Sequence, residues 1–409
     1  MADPPARRTA DTAVCTNRHA IGSSPALLVT LFALASAVRA VGCDPTHEGG
    51  GAAGRPPAAT RRYAPRVIDL RSDTATKPTP EMLAAMTRAE LGDEQAREDP
   101  TVNELQRRAA ELLGHEAALF LPTATMANQI ALRVLTRPGQ QLIAEERTHI
   151  LVYEAGGPAV HSGLVTRPLS GVAGRITPQQ IRNVVETADE FQPAGIVVLE
   201  QTHRSAGGRV WPLEELREAI AVARELGLAV HLDGARLLNA SVASNVPAAE
   251  YGALVDTVQI CFSKCLGCPL GAILAGSEER IAQAWRLKFL FGGALRQAGV
   301  VAAAMLYALD HNVDRLAEDH ARARRLAEGL AAAGLPVDVE AVETNFVGID
   351  VASIGVETAD ARARIAEEGV LVGLLRPGVL RVATHLGVTD DDVDQALELI
   401  PRALGVLVA

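Results

Sequence analysis

The chain has 409 residues, 48% of them hydrophobic, and a formal net charge of −10. That length suits two or three domains with a sizeable core, and the acidic balance disfavours a nucleic-acid partner. Five cysteines in so long a chain do not make a disulfide framework.

Residues 1–65 are rich in Ala, Pro, Gly and Arg, as in "EGGGAAGRPPAATRR". They read as a disordered or linker-like N-terminal extension. Within it the apolar run "PALLVTLFALASAV" has signal-peptide length, with Arg7, Arg8 and Arg18 upstream. It leads to "RAVGCD", which loosely resembles a lipoprotein cleavage box at Cys43. The run is short for a membrane span, and Arg39 beside the would-be cleavage point speaks against a signal. The expected location is cytoplasmic, with an exported lipoprotein as the alternative.

From residue 66 the pattern is α/β. Strand-like runs are "AALFL", "QQLIA", "GIVVLE", "LAVHLD", "VQICFS" and "GAILAG". Amphipathic stretches such as "TVNELQRRAAELLG" and "LEELREAIAVARELG" lie between several of them. This alternation predicts a mostly parallel sheet with helices on both faces, a large domain over 66–310. Helical patterns follow, then the runs "NFVGIDV" and "VLRVATHL", a smaller C-terminal α+β domain over 311–409.

Lysine occurs only at Lys77, Lys264 and Lys288; every other basic residue of the Lys/Arg class is arginine. A lysine kept in such a chain suggests a position where arginine fails. Arginine stays charged, whereas a desolvated lysine can lose its proton and act as a nucleophile. Lys264 follows the apolar run "VQICFS"; Lys77 and Lys288 read as surface residues. Cys261, Cys265 and Cys268 cluster around Lys264 but lack a second ligand pair for zinc, and no metal is expected.

Ligands of a parallel sheet sit at the carboxyl ends of its strands. "LAVHLDGAR" ends a strand at Asp233, and "VQICFSK" ends the next at Ser263 and Lys264. "ALFLPTATMANQ" passes from strand to helix through Thr123, Ala124 and Thr125, a turn whose amides suit a phosphate. A lysine, a carboxylate and an anion site together meet the needs of pyridoxal 5'-phosphate.

The segments "IDLRSDTATKPTPEML", "EDPTVNELQ", "HLDGARLLNA", "FSKCLGCPLG" and "LRQAG" resemble the low-specificity L-threonine aldolases. These are fold-type I pyridoxal phosphate enzymes of the aspartate aminotransferase architecture, with a seven-stranded sheet in the large domain. The resemblance runs from about residue 67 almost to the C-terminus. It implies that Lys264 carries the cofactor, that Asp233 pairs with its ring nitrogen, and that His149 stacks on the ring and moves protons. Tyr153 would lie nearby. Thr123, Ala124 and Thr125 would take the phosphate, and Arg296 would reach the phosphate of a neighbouring subunit in a homodimer or homotetramer. Ser72, Arg236 and Arg381 would hold the carboxylate of an amino acid substrate; two arginines on one carboxylate also suit bidentate pairing. His203 lies in a matching motif without an assigned role. His115, His311 and His320 are expected on helix surfaces. The implied reaction is retro-aldol cleavage of L-threonine or L-allo-threonine to glycine and acetaldehyde.

The chain departs from the family pattern in four places, the mildest being Cys268 in place of another small residue. "GDEQAREDP" places Gln95, Ala96 and Arg97 where Val-Tyr-Gly is usual, which opens the alternative of another lyase: β-elimination, or cleavage of a bulkier 3-hydroxy amino acid. Ala124 stands where glycine is usual in the phosphate loop, tolerable if its φ is negative. Cys265 replaces the glycine after the lysine. A third alternative, a lipid-anchored non-enzymatic binding protein, rests on the apolar run at 25–43 alone.

Overall fold

The computed structural model describes residues 67–406. The N-terminal extension, its apolar run and Cys43 lie outside them. In chain order the strands are β1 (Ile68–Leu70), β2 (Ala117–Leu121), β3 (Gln141–Glu145), β4 (Val165–Leu169), β5 (Ala194–Glu200), β6 (Ala229–Asp233), β7 (Thr257–Cys261), β8 (Ala272–Gly276), β9 (Phe346–Asp350), β10 (Val370–Arg376) and β11 (Val379–Ala383).

Seven of them form one sheet in the order β2-β8-β7-β6-β5-β3-β4. The pairs from β4 to β7 are parallel; β8 runs antiparallel to both β7 and β2. Apart from the exposed edge strand β4, both faces are buried, and alternate residues serve opposite cores. Phe120, Ile143, Val197, Leu232 and Ile260 enter one cluster. Their neighbours Leu119 and Leu121 enter a second, and Leu142, Ala144, Ile196 and Val198 a third. The period-2 alternation thus sends every other side chain to the opposite face, which is why the strands read as continuous apolar runs.

A four-stranded sheet, β1-β10-β11-β9, carries its own core. The helices Leu316–Ala332 and Asp390–Ala403 pack Leu326, Leu330, Val393 and Ile400 into it. β1 joins this sheet by pairing parallel with β10, so the segment at Ile68–Leu70 belongs with the C-terminal strands rather than with the large sheet that the contiguous range 66–310 implied. The chain then passes through the short helix Asp73–Ala75 toward the large sheet. Among the described residues no helix is long and apolar enough to cross a membrane.

Candidate active site

The carboxyl ends of β6 and β7 bring together the residues singled out by sequence. Asp233 is the last residue of β6 and stands opposite Gln259 in the register of β7. Its carboxylate is buried and accepts from Gln259 Nε2, from the amide of Ala235 at 3.1 Å and from Asn128 Nδ2 at 2.8 Å. All three donors are neutral. Among the described residues Asp233 forms no ion pair with lysine or arginine, so it is a buried anion solvated by amides and lacking a bonded cation. Burial works against its charge, but His149, Lys264 and the Asn128 hydrogen bond keep its pKa below the ordinary carboxylate value.

Asn128 lies on the helix Ala124–Leu135, whose N-cap is Thr123. Its Nδ2 also donates to Glu154 at 2.7 Å, and its Oδ1 faces His231 Nε2 at 3.0 Å. His231 Nδ1 lies 2.8 Å from Thr257 Oγ1. An acceptor at Nε2 and a hydroxyl at Nδ1 are satisfied by the neutral Nε2–H tautomer. Burial pushes the His231 pKa down to about 4.

His149 begins a short helix at the end of the β3 loop. Its Nδ1 lies 2.9 Å from Glu154 Oε1, and its amide donates to Glu200 at 2.6 Å. Burial opposes the charged ring, but the Glu154 hydrogen bond and the Asp233 carboxylate outweigh it and raise the His149 pKa. With Nδ1 on Glu154, the Nε2 atom is left for chemistry. His149, Glu154 and Asp233 offer ligand atoms within 4.8 Å of one another. Their carboxylate oxygens are occupied by Asn128, Gln129, Gln259, Ala235 and His149, as hydrogen bonding rather than metal ligation requires.

Lys264 lies three residues beyond β7, half-buried, and its charge acts on Asp233, His149 and Asp73. The three nearby thiols face separate partners: Ser263 for Cys261, Asp73 for Cys265 and the Ala304 carbonyl for Cys268. Thr123 Oγ1 caps the Met126 amide at 3.2 Å. The amides of Ala124 and Thr125 stand in the first helical turn, where no intrahelical acceptor exists. Ala124 is not among the residues of positive φ; the helical conformation accommodates its Cβ.

The arginines are arranged unequally. Arg236, expected on the substrate carboxylate, is buried and donates Nε and Nη2 to Asp73 at 2.6 and 2.7 Å. Arg381 donates Nε and Nη2 to the Arg71 carbonyl at 3.0 and 2.8 Å, while its buried Nη1 has no partner among the described residues. Both guanidinium groups lie over the Phe346 ring, at 4.8 and 5.0 Å. Burial and repulsion from Arg204 and Arg236 lower the Arg381 pKa to about 10. Ser72 stands beside Asp73 and caps Thr74. Tyr153 is about half exposed, with its ring 5.5 Å from that of His149.

Arg296 is exposed and pairs with Asp93 at 2.9 Å. Lys77 is on the surface, whereas Lys288 is fully buried, pairing with Glu94 and donating to the Phe120 carbonyl at 2.7 Å. The surface expectation for Lys288 fails because an acidic partner from the 93–97 segment accompanies it into the interior. His311 is exposed, but His320 is mostly buried and hydrogen-bonds Asn239 at 3.2 Å, and His115 follows its helix with Nε2 buried. His203 is buried with Nε2 3.0 Å from Glu145. Sequence reasoning missed Asp73, Asn128, Glu154 and Gln259. His231, two residues before Asp233 on one strand face, carried a period-2 signal.

The donor set fits pyridoxal phosphate. A buried carboxylate without a bonded cation suits a ring N–H⁺, Lys264 lies at the neighbouring strand end, the free amides of Ala124 and Thr125 suit the phosphate, and the orphaned Arg381 Nη1 suits an amino acid carboxylate.

The sequence profile of the beta-eliminating lyases matches residues 69–353. The chain is 40% identical over 329 residues to the low specificity L-threonine aldolase of Escherichia coli K12, covering 80% of this chain and 96% of that one. It is 36% identical over 346 residues to low-specificity L-threonine aldolase 1 of Arabidopsis thaliana, covering 83% and 97%. In fold it is similar to the threonine aldolase of Leishmania major, with a TM-score of 0.71 at 21% identity over 82% of this chain and 99% of that one.

Proposed function

The chain belongs to the beta-eliminating lyase family and, within it, to the low-specificity L-threonine aldolases, and on that premise we propose that it uses pyridoxal phosphate to cleave L-threonine and L-allo-threonine to glycine and acetaldehyde. The observation that carries this reading is the placement of Asp233 and Lys264 at adjacent strand ends, with an unpartnered Arg381 Nη1 in the same site.

Lys264 would hold the cofactor through Nζ, Asp233 its ring nitrogen, and the Thr123–Thr125 turn its phosphate. When bound, pyridoxal phosphate accepts the electron pair of the breaking Cα–Cβ bond. Arg381 binds and orients the α-carboxylate through Nη1, with Ser72 alongside. Arg236 is held and neutralised by Asp73 and packs with Arg381 against Phe346. His149 turns Nδ1 toward Glu154 and takes the β-hydroxyl proton at Nε2, so the aldehyde leaves as a neutral molecule. Phe346 shields both guanidinium groups on one side, strengthening the pull of Arg381 on the carboxylate.

Arg296 and oligomerisation form a further part of this reading. The exposed Arg296 side chain, tethered among the described residues to Asp93 alone, suits a role at the phosphate of a neighbouring subunit in a homo-oligomer. Mixing inactive Lys264→Ala with inactive Arg296→Ala protein restores activity if sites are shared, and restores none if they are not.

The test of the main reading is the absorbance spectrum and acetaldehyde release of the purified protein beside Lys264→Ala. A lysine-dependent band with acetaldehyde from L-threonine supports it. A band without acetaldehyde shifts the substrate, and no band after reconstitution removes the reading.

A further inference from the structure

The charges of the site leave one guanidinium over. Asp73 neutralises Arg236 through two hydrogen bonds, and a substrate α-carboxylate would neutralise Arg381. Arg204 then remains. Among the described residues it forms no ion pair. Its Nη1 donates to Tyr153 Oη at 2.7 Å, and its guanidinium carbon lies 4.3 Å above the Tyr153 ring centroid.

Arg204 is also fixed beside the reacting end of the substrate. One carboxylate, Glu200, accepts the backbone amides of both Arg204 (2.7 Å) and His149 (2.6 Å). The Tyr153 ring that Arg204 covers is 5.5 Å from the His149 ring. Arg204 is near enough to Arg381 that its repulsion follows burial as the largest influence on that group. With His149 at the β-hydroxyl, a substituent on Cβ turned toward the neighbouring Tyr153 ring would come within reach of Arg204.

We propose that Arg204 is a specificity-determining residue that pairs with a carboxylate on the β-carbon of the substrate, so that the site favours 3-hydroxy amino acids of the 3-hydroxyaspartate type over L-threonine. This rests on the aldolase reading above. The reaction balances without a co-reactant: the Cα–Cβ bond breaks, the β-hydroxyl proton goes to His149, Cα gains a proton, and 3-hydroxyaspartate yields glycine and glyoxylate.

The test compares kcat/KM for L-threonine and L-3-hydroxyaspartate in the full-length holoenzyme and in Arg204→Leu and Arg204→Lys. Beside it, calorimetry compares the binding of L-aspartate and L-2-aminobutyrate, which have no hydroxyl to cleave and differ in a carboxylate against a methyl. The dicarboxylates are expected to be preferred, and Arg204→Leu should cut both preferences by ~10- to 100-fold, as loss of a charge-assisted hydrogen bond does. Arg204→Lys should retain part of each. A ratio unmoved within about twofold in Arg204→Leu, with both substrates losing equally, places Arg204 on the α-carboxylate and overturns the proposal. A wild type that cleaves threonine but prefers neither dicarboxylate overturns it and leaves the aldolase reading standing. A wild type that prefers aspartate in binding but cleaves neither substrate removes the aldolase reading and keeps the pairing.

Discussion

Asn128 donates its amide to Asp233 at 2.8 Å, a neutral donor holding a buried carboxylate anionic without cancelling its charge. The same Nδ2 supports Glu154, and Oδ1 is anchored by His231. The full negative charge of Asp233 is therefore available to a cationic ring nitrogen. Asn128→Leu should lower kcat/KM for L-threonine by about 10- to 100-fold, the usual cost of removing an orienting partner. Asp233→Asn should cost about 100-fold or more, as loss of a preorganised charge does. Steady-state kinetics with cofactor retention followed by absorbance checks both; equal activity in Asp233→Asn would sink the assignment.

The Glu154 contact sets a pH profile. His149 must be neutral at Nε2 to accept a proton, and its pKa is raised. Activity should fall as pH drops through that raised value, so the acid limb of kcat/KM should lie above the ordinary histidine pKa of about 6.5. Glu154→Gln removes the carboxylate that sustains the shift, and the limb should move to lower pH. An unmoved limb in that variant would exclude His149 as the titrating base.

Lys288 and Glu94 form a buried ion pair that ties the 93–97 segment to the loop carrying Arg296. Glu94 also accepts the Leu295 amide at 2.8 Å, and Gln95 donates to the Ala294 carbonyl at 3.1 Å. Lys288→Met leaves a buried carboxylate uncompensated and should cost about 3–5 kcal/mol. Lys288→Met combined with Glu94→Gln should recover much of that. Denaturant unfolding of the two variants measures the difference, and equal losses would show that the pair's charges are not coupled.

Arg97 has φ 61° and ψ 29°, the left-handed region. A side chain there costs roughly 1–2 kcal/mol relative to right-handed backbone, a cost glycine avoids. The stack of Arg97 on Trp285 at 4.8 Å offsets part of it. Arg97→Gly should therefore be more stable than Arg97→Ala by about 1 kcal/mol, read as a difference in unfolding midpoint. The reverse order would mean that the conformation carries no strain.

His231 and His320 are both held neutral by burial, each with its pKa lowered to about 4. The unfolded chain binds more protons than the folded one between about pH 6.5 and 4. Their contribution is intact above pH 6.5 and falls as pH is lowered through that window, by up to about 1.4 kcal/mol per pH unit for each histidine. His320→Gln, which keeps a polar group beside Asn239, should flatten the slope of melting temperature against pH in this window; an unchanged slope would rule His320 out as a contributor.

The large sheet was legible because all its strands except the edge strand β4 are apolar on both faces, and their ends point to Asp233 and Lys264. Lys264 stood out through the scarcity of lysine, an accident of composition. β4 escaped notice: "VTRPL" is an exposed edge strand containing Pro168, without the burial that writes a hydrophobic pattern. The antiparallel sense of β8 left no mark either, since a buried strand reads alike in both directions. Asn128 and Gln259 find Asp233 only through helix placement and strand register, relations between segments 26 to 105 residues apart. Asp73 was hidden beside the more conspicuous Ser72, and its claim on Arg236 spans 163 positions.

The pairing of β1 with β10 has a bearing on how the protein is born. Ile68 meets Val370, and Leu70 meets Val372; on the ribosome the first strand is made some 300 residues before its partner. A nascent chain stalled short of Val370 already contains the Asp233–Lys264 half of the site. Asp73 already has Arg236 as a partner, but there is no Arg381 to donate to the Arg71 carbonyl. The amino acid clamp closes last, when the two extremities of the described fold are joined, so a truncated translation product keeps the reactive lysine and lacks the means to orient a substrate against it.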